Sequence, residues 1–410
     1  MKANQLRIAE LFSGIGAQNK ALANISKELN FNYKVELTCE WDMHAILAYD
    51  LIHNKPSNHF DISSNEEIFD TLFKMGVSWN GKELLKFKTL KRVNPLILQR
   101  VYQSIIKNNN CVNIKQMNYQ SIPENLDILT YSFPCQDLSN MGHLHGYADG
   151  IDKSKSSRSG LLWEIDRVLK DTKRKKKSLP KVLLMENVTS LLSPRHSSHF
   201  NDWKQSLVKL GYKNCHWILK ASEFGVPQNR ERLIMISIHR DNYRKDLFRS
   251  IEYSINSKKV QYPQNVESFL RTDYKVKKYY IDAIESQPNR TLSRLKIWNE
   301  NPKIIDDNGN YISIIPTITT KQDRHPNSGN LYFKGDSTKA NYRFLTPREC
   351  FLLMGFNESD YEKLDREKLI SFNGSDFLSR DIRYKLAGNS VVVPILEAVF
   401  YGILSNVDLG

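Results

Sequence analysis

The chain has 410 residues, 40% of them hydrophobic, so it is long enough for a large and a smaller domain and apolar enough for a packed core. Lys and Arg number 59 against 45 Asp and Glu, and the formal charge of +14 favours a polyanionic partner such as nucleic acid, although charge alone does not establish one. The 5 dispersed cysteines include no CxxC pair and no Cys/His spacing suited to zinc, which argues against a disulfide scaffold or metal site and indicates a reducing compartment. The N-terminus lacks a signal-peptide pattern and no apolar run approaches about 18 residues, so we expect a cytoplasmic protein without a membrane segment.

The N-terminal segment predicts the first βα unit of a nucleotide-binding sheet. Residues 6–12 have the composition of a strand, residues 13–17 form a glycine-containing turn, and a helix follows. Gly14 and Gly16 let the backbone approach a ligand closely, but Asn19 takes the place of the third glycine of the dinucleotide pattern. The same glycines would also suit a tight turn that binds nothing.

The second predicted strand, 35–40, ends in a carboxylate. Glu40 lies 24 positions after Gly16, about where an acidic residue meets a ribose diol in such sheets. Trp41 beside it can lie against an adenine ring or pack in the core. Together the two residues favour an adenosyl cofactor, whereas the incomplete glycine pattern argues against a pyrophosphate.

A cysteine is predicted at the end of a buried strand. The apolar run 128–130 leads to Pro134 and Cys135, and the chain must leave the sheet there because proline fixes φ and has no N–H to donate. A thiol presented on such a turn is a candidate nucleophile, and the alternative is a structural cysteine in the core. Residues 140–159 are polar and without period, and so long an irregular segment after a candidate nucleophile predicts a mobile lid.

Three charged residues are predicted at strand ends. Glu186 closes the apolar strand 182–185, where a carboxyl group is costly to bury unless something is bonded to it. Arg230 and Arg232 stand at alternate positions before the strand 233–237, so their side chains point the same way and can converge on one acceptor. The alternative is that both arginines are exposed to solvent at the start of the strand.

A change of composition predicts more than one domain. Residues 1–240 alternate between strands and helices and carry the candidate site, with an insertion at about 55–110 whose sequence suggests no function. Residues 241–340 lack this alternation and mix basic with aromatic side chains, which predicts a second domain that contacts DNA. We expect 341–378 to be a hinge segment and 379–410 to return to the first domain.

Six short motifs occur along the chain and are weak singly but specific in this order: FSGIG, EWD, PCQ, ENV, QNRER and GNSVV, at residues 12–16, 40–42, 134–136, 186–188, 228–232 and 388–392. With this set the chain resembles the DNA (cytosine-5)-methyltransferases, and the phrases around Cys135, Leu161 and Glu186 are most similar to bacterial and mollicute type II modification enzymes. The resemblance covers most of the chain outside 55–110 and 241–310. It implies an α/β fold, a Rossmann-like S-adenosylmethionine-dependent methyltransferase sheet with helices on both faces, plus a smaller, mostly irregular and β target-recognition domain.

The resemblance implies S-adenosyl-L-methionine as cofactor and S-adenosyl-L-homocysteine as product. Its binding residues would be Phe12, Ser13, Gly14, Gly16, Glu40, Trp41, Asn113, Ile114, Pro134, Leu161, Asn389 and Ser390. Glu40 would take the ribose, and Trp41 would pack on the adenine. Asn113 stands where the family commonly has an aspartate facing the adenine amino group, and an amide oxygen can still accept that hydrogen bond.

The resemblance also implies the catalytic residues Cys135, Glu186, Arg230 and Arg232. The thiolate of Cys135 would add to carbon 6 of cytosine while protonated Glu186 donates to ring nitrogen 3. An acid that is neutral near pH 7 needs a raised pKa, which a buried strand end can provide. The two arginines would orient the base and the carboxyl group and help to keep the thiol ionised.

The implied substrate is double-stranded DNA, from which the target cytosine must be flipped out of the duplex. Candidate DNA contacts are Gln136, Ser139, Asn140, Met141 and Gln228. We expect a monomer that acts on chromosomal DNA in a bacterial cytoplasm and is paired with a restriction endonuclease. Three alternatives stay open: a tRNA methyltransferase of the same superfamily, a non-catalytic DNA-binding relative, and a nicotinamide oxidoreductase suggested only by Gly14 and Gly16.

Overall fold

The structure is a computed structural model and describes residues 5–55, 64–134, 151, 159–306, 308–371 and 374–409. Its strands are β1 (Leu6–Leu11), β2 (Tyr33–Cys39), β3 (Ile128–Tyr131), β4 (Val182–Asn187), β5 (Tyr212–Lys220), β6 (Gln228–Asn229), β7 (Glu231–His239), β8 (Ile315–Pro316), β9 (Asn330–Tyr332) and β10 (Tyr342–Phe344). Within these residues, the main sheet has six strands in the order β2-β1-β3-β4-β7-β5.

The strand directions bring several strand ends to one edge of this sheet. β1 runs parallel to β2 and β3, and β3 runs parallel to β4, so their carboxyl ends share an edge. β7 is antiparallel to β4 and places Leu233 opposite Asn187, so the start of β7 reaches the same edge. Because the strand order reverses between β1 and β3, this edge contains the crevice in which α/β sheets bind ligands.

Helices cover both faces of the sheet, as predicted. They are α1 (Ala17–Ile25), α2 (Met43–His53), α3 (Asn65–Met75), α4 (Phe87–Leu90), α5 (Pro95–Lys107), α6 (Leu162–Arg174), α7 (Ser197–Leu210), α8 (Leu247–Ser257), α9 (Lys277–Glu285), α10 (Leu292–Glu300), α11 (Pro347–Leu352), α12 (Glu358–Arg366), α13 (Arg380–Asn389) and α14 (Val393–Leu404). On β4, Val182 and Leu184 point into a core shared with α1, α2 and α5, whereas Leu183 and Met185 point into a core shared with α6 and α7. The alternation along one strand therefore builds two hydrophobic layers.

The described part of the predicted insertion is helical and belongs to the first of these cores. Ser64 accepts a hydrogen bond from the Glu67 N–H at the start of α3, and Gly76 ends that helix with a φ of 75°. Ile68 and Leu72 on α3 are buried with α2 and α5. The insertion thus thickens the helical layer beside α2, and the loop between α3 and α4 runs back to the sheet edge.

Helix α8 packs with the sheet, although the predicted domain boundary at residue 240 separates the two. A Cβ atom on Gly402 of α14 would lie 2.9 Å from Cγ1 of Ile255 and 3.3 Å from Cγ2 of Ile251. This close approach joins α8 to α14, which also contacts α1. We therefore place the end of the first unit after α8.

The segment that follows has little regular structure. It contains α9, α10 and the short strands β8 to β10, separated by loops. β9 and β10 are antiparallel, and β8 pairs with β6 next to the start of β7. A smaller, mostly irregular unit agrees with the predicted fold, and its pairing with β6 attaches it beside the sheet edge.

The predicted hinge, 341–378, is a packed junction in its described part. Arg343 and Glu349 are fully buried and share two hydrogen bonds of 2.8 Å, which compensate the cost of burying both charges. Arg348 pairs with Asp282 of α9 at 2.6 Å, and α12 packs against α2. The segment therefore links α9 to the helical layer of the sheet.

The C-terminal segment Arg380–Leu404 returns the chain to the sheet. By length and composition it could cross a membrane, but 72% of its most apolar window is buried inside the structure, as in the core helix of a folded domain. Its two helices are separated by the turn that contains Ser390.

Candidate active site

A cavity of about 440 Å³ opens at the sheet edge where the strand ends meet. Its walls come from segments that follow β1, β2, β3 and β4, from the start of β7 and from the turn between α13 and α14. The predicted site residues that line it are Phe12, Ser13, Gly14, Glu40, Trp41, Asn113, Ile114, Pro134, Leu161, Glu186, Arg230, Arg232, Asn389 and Ser390. The fold thus brings residues from both ends of the chain to one place.

The turn after β1 has backbone conformations that few residues adopt. Phe12 and Gly14 have φ values of 56° and 54°, and among the described residues a Cβ atom on Gly14 would meet no atom within 4 Å beyond its chain neighbours. The space beside Gly14 therefore belongs to the cavity. Gly16, predicted to bind the cofactor, is required by the fold, because a Cβ atom there would lie 2.3 Å from Nε2 of His53, and its contact with the cofactor stays a prediction. Gly16 does not line the cavity.

Glu40 is fixed by three backbone donors at the end of β2. One carboxylate oxygen accepts the Gly14 N–H at 3.0 Å, and the other accepts the N–H groups of Trp41 and Asp42 at 2.9 Å each. A carboxylate offers about four lone-pair sites, so one remains for a ribose hydroxyl. Burial, together with the neighbouring charge of Asp42, raises the pKa of Glu40 to about 7.

The raised pKa of Glu40 predicts pH-dependent cofactor binding. A ribose hydroxyl donates best to the ionised carboxylate, and below pH 7 Glu40 is increasingly protonated in the free protein. We therefore expect the affinity for S-adenosylhomocysteine to rise between pH 6 and pH 8, by at most about tenfold per pH unit on the acid side. Calorimetric titrations across this range test it, and Glu40→Gln should bind more weakly and without this slope. A flat profile in the wild type would contradict the assigned role.

Asn113 and Ile114 enter the cavity from the segment before β3. The Oδ1 atom of Asn113 accepts the Lys115 N–H at 3.1 Å, and Ile114 is buried. An amide oxygen has a second lone pair, so Asn113 can also accept a hydrogen bond from an amino group. The predicted contact to adenine is compatible with this geometry and stays a prediction.

Glu186 and Arg232 form an ion pair in the cavity. Nε of Arg232 lies 3.0 Å from a carboxylate oxygen of Glu186, and both side chains are mostly buried. The antiparallel register of β4 and β7 brings them together, since Glu186 stands opposite Ile234. The next residue, Asn187, donates from its amide nitrogen to the Phe133 carbonyl at 3.0 Å and so ties the end of β4 to the segment before Cys135. The ENV motif was recognisable in the sequence, but it did not predict this hydrogen bond of Asn187.

The predicted nucleophile Cys135 and the candidate DNA contacts Gln136, Ser139, Asn140 and Met141 lie outside the described residues. The preceding residue, Pro134, lines the cavity, and its carbonyl accepts a hydrogen bond of 2.6 Å from the buried Ser159 hydroxyl. Of the predicted lid, 140–159, the structure describes Ile151 and Ser159, and both are fully buried. These two residues are therefore anchored, and the lid prediction concerns only the rest of that range.

Arg230 and Gln228 have different surroundings from those predicted. Arg230 is buried and donates to the carbonyl oxygens of Ile318, Gly388 and Ser390 at 3.0, 3.1 and 2.6 Å, so it does not share the Glu186 acceptor of Arg232. Gln228 is fully buried and donates to the Leu353 carbonyl at 2.9 Å, and its own oxygen accepts the Ile318 N–H at 2.9 Å. A side chain so enclosed cannot contact DNA, so the prediction that Gln228 binds DNA is wrong. The reason is that β6, which carries Gln228, pairs with β8 and does not face solvent.

Residues of the insertion and of α13 also line the cavity, although no sequence motif marks them: Asn80, Gly81, Lys82, Leu84 and Lys385. Nζ of Lys385 donates to the Asp42 carboxylate at 2.5 Å and to the Asn80 carbonyl at 2.7 Å. The Asn80-Gly81 pair is a turn signal that marks a loop, but nothing in the sequence shows what that loop contacts.

The fold and this cavity define an α/β methyltransferase that uses S-adenosylmethionine. Residues 93–405 match the family model of the C-5 cytosine-specific DNA methylases, and the chain belongs to that family. It therefore methylates carbon 5 of cytosine in DNA. The family assignment sets aside the oxidoreductase alternative and favours DNA over tRNA as substrate.

Known relatives cover nearly the whole chain. It is 32% identical to the orphan methyltransferase M.SssI of Spiroplasma monobiae over 97% of each chain. It is 30% identical to the type II methyltransferase M2.ScrFI of Lactococcus lactis subsp. cremoris over 96% of this chain and 98% of that one. Among solved structures, the S. pombe Dnmt2 methyltransferase has the same fold, with a TM-score of 0.59 at 17% identity over 98% of this chain and 99% of that one.

The residues of the cavity fit S-adenosylmethionine. The open space beside Gly14 admits a ligand against the backbone, and Glu40 retains a lone pair for a ribose hydroxyl. Trp41 and Ile114 line the cavity and would offer apolar surface to an adenine ring. When bound, the cofactor supplies a methyl group on a positively charged sulfur.

Proposed function

We propose that the protein methylates cytosine within one specific duplex DNA sequence through a covalent bond between Cys135 and the base. The observation that carries this proposal is the Glu186–Arg232 ion pair, which lies in the same cavity as Glu40 and as Pro134, the residue before Cys135. Carbon 5 of cytosine is too poor a nucleophile to take a methyl group unaided. A thiol, a carboxyl group and a guanidinium beside an adenosyl pocket supply the activation that it needs.

In the proposed reaction, residues of this chain activate the base and then release it. The Cys135 thiolate adds to carbon 6, and Glu186, which must take up a proton from solvent before it can act because it is paired with Arg232, donates that proton to ring nitrogen 3, so that carbon 5 becomes an enamine-like nucleophile. Arg232 orients the Glu186 carboxyl group, and its positive charge favours the thiolate over the thiol. After carbon 5 has accepted the methyl group, it loses its proton to a base, elimination at carbon 6 returns Cys135 to the thiolate, and ring nitrogen 3 gives its proton back to Glu186.

Arg230 is proposed to act through position rather than through contact with the base. Its three bonds join the start of β7 to Ile318 of the second unit and to Gly388 and Ser390 beside the cofactor pocket. Such a buried guanidinium fixes the distance between the two units across the site. Arg232 carries the charge that pairs with Glu186.

The base must leave the duplex to reach this cavity, at a cost of a few kcal/mol in stacking and pairing. We propose that residues of the 140–158 range close over the flipped base. Some of them, Asn140 and Met141 among the candidates, would fill the gap that the base leaves in the duplex. The anchoring of Ser159 on Pro134 would couple that closure to the segment carrying Cys135.

The biological setting is also a proposal. M2.ScrFI is named a type II methyltransferase, which supports pairing with a restriction endonuclease in a bacterial cytoplasm, whereas M.SssI is named an orphan. We propose a monomer that modifies chromosomal DNA so that a partner endonuclease cannot cut it. Resistance of modified DNA to an endonuclease encoded beside this chain would support the pairing.

Bisulfite sequencing tests the proposed function. DNA from cells that lack cytosine methylation of their own, but express this chain, should retain unconverted cytosines at one recurring sequence. The Glu186→Ala variant, expressed at the same level, should leave those cytosines convertible. Methylation without any sequence preference, or methylation of tRNA but not of DNA, would overturn the proposal.

A further inference from the structure

The loop between α3 and α4, residues 76–86, forms a wall of the cofactor cavity. It belongs to the insertion, and it contributes Asn80, Gly81, Lys82 and Leu84 to the lining. We infer that this loop is a cofactor-binding element whose Leu84 side chain packs against the adenine ring of S-adenosylmethionine. The inference rests on the cofactor assigned above.

The loop is bonded to the residues that follow β2. Ser78 donates its N–H to the Trp41 carbonyl at 2.7 Å and accepts the Met43 N–H at its own carbonyl at 2.9 Å. Its neighbour Trp79 packs on the ring of His44, with ring centres 5.0 Å apart. The loop therefore shares a short stretch of backbone pairing with the segment that contains Trp41, so the two walls of the cavity are held as one unit.

The tip of the loop has a defined shape. The Asn80 side-chain oxygen accepts the N–H groups of Lys82 and Glu83 at 2.8 and 3.2 Å. Gly81 has a φ of 68°, and a Cβ atom there would lie 2.9 Å from the Asp42 carboxylate. Because Lys385 bonds both Asp42 and the Asn80 carbonyl, the tip is also joined to α13, which ends at the cofactor residue Asn389.

Leu84 lies at the end of the cavity assigned to adenine. A Cβ atom on Gly76 would lie 3.1 Å from a methyl carbon of Leu84 and 3.1 Å from Nδ2 of Asn113. The two side chains therefore lie against the same glycine, and Asn113 is the residue proposed to face the adenine amino group. Leu84 is 52% exposed in the free protein, so apolar surface there is available for a flat ring to cover.

Ligand binding to a matched pair of variants tests this inference. Leu96, on α5 of the same insertion, is 51% exposed and does not line the cavity, so Leu96→Ala removes an equally exposed side chain elsewhere. We expect Leu84→Ala to raise the Kd for S-adenosylhomocysteine about tenfold in calorimetric titrations of the full chain. Leu96→Ala should stay within about twofold of the wild type.

Binding of adenosine shows which part of the cofactor Leu84 contacts, because adenosine has the adenine and ribose but lacks the amino acid portion of the cofactor. Leu84→Ala should weaken adenosine binding by the same factor, and Leu84→Met, which keeps the apolar bulk, should restore most of the affinity for both ligands. Without ligand, the two alanine variants should melt at similar temperatures because each removes a side chain that is about half exposed.

The possible outcomes separate the inference from the cofactor assignment. If the wild type fails to bind S-adenosylhomocysteine, the cofactor site itself is wrong. If the wild type binds and Leu84→Ala binds both ligands equally well, the loop is only a part of the fold. A loss for S-adenosylhomocysteine without a loss for adenosine would also overturn the inference, because the contact would then lie away from the adenine.

Discussion

Cys135→Ala is expected to lower the rate of methyl transfer to DNA by about 10³-fold or more, the largest effect on activity of any single change in the chain. The reason is that without a nucleophile at carbon 6, carbon 5 of cytosine does not gain the electron density required to accept the methyl group. Cofactor binding should be unaffected, since Glu40 and its three backbone donors remain. Transfer of a radiolabelled methyl group to duplex DNA measures the rate.

A second cysteine provides the control for this change. Cys215, on the edge strand β5, is a partly exposed free thiol that does not line the cavity. Cys215→Ala should therefore leave the rate within about twofold of the wild type. If Cys135→Ala retained substantial activity while binding the cofactor normally, Cys135 would not be the nucleophile.

The largest effect on stability is expected for Gly388→Ala, even though alanine is the better helix former. Gly388 lies in α13, where helix propensity alone favours alanine by about 1 kcal/mol. A Cβ atom there would, however, lie 2.4 Å from the Thr320 nitrogen and 2.5 Å from the Thr319 carbonyl carbon, which are backbone atoms of the second unit. Because Arg230 also fixes this approach through Ile318, we expect a net loss of about 3 kcal/mol in the free energy of unfolding.

Denaturant unfolding measures this loss, with Asp381→Ala as the matched control. Asp381 lies on the same helix but is 80% exposed in its side chain, so its removal should change the free energy of unfolding by no more than about 0.5 kcal/mol. Cofactor affinity should fall in Gly388→Ala as well, since Asn389 and Ser390 follow directly. If Gly388→Ala were as stable as the wild type, α13 and the Thr319–Thr320 backbone would not approach each other as closely as described.

Local patterns predicted the elements that hold most of the site. The apolar runs before Cys135 and Glu186 identified β3 and β4, because a buried parallel strand is apolar on both faces. Glu40 and Glu186 were each predicted at the carboxyl end of a strand, the end at which α/β sheets bind ligands. The turn glycine Gly14 was likewise recognisable from its place after β1.

What sequence did not reveal depends on contacts between distant segments. The bond between Lys385 and Asn80 and the burial of Gln228 under Leu353 follow from how the units pack, which has no period in the sequence. The alternation of side chains along a strand predicted that Arg230 and Arg232 point the same way. In the structure, Arg230 donates hydrogen bonds to three backbone carbonyls, whereas Arg232 pairs with the carboxylate of Glu186. The packing reason for a glycine at position 16 was also hidden, because His53, which requires the glycine, lies on another helix.

A covalent bond between Cys135 and the target base can be detected by trapping it. Duplex DNA carrying 5-fluorocytosine at the recognition site cannot lose a proton from carbon 5, so the adduct should persist when the methyl donor is present. The wild type is expected to form a protein–DNA complex that survives denaturing electrophoresis, and Cys135→Ala should form none. Methyl transfer to normal DNA without any trapped complex, or an undiminished complex with Cys135→Ala, would contradict the account.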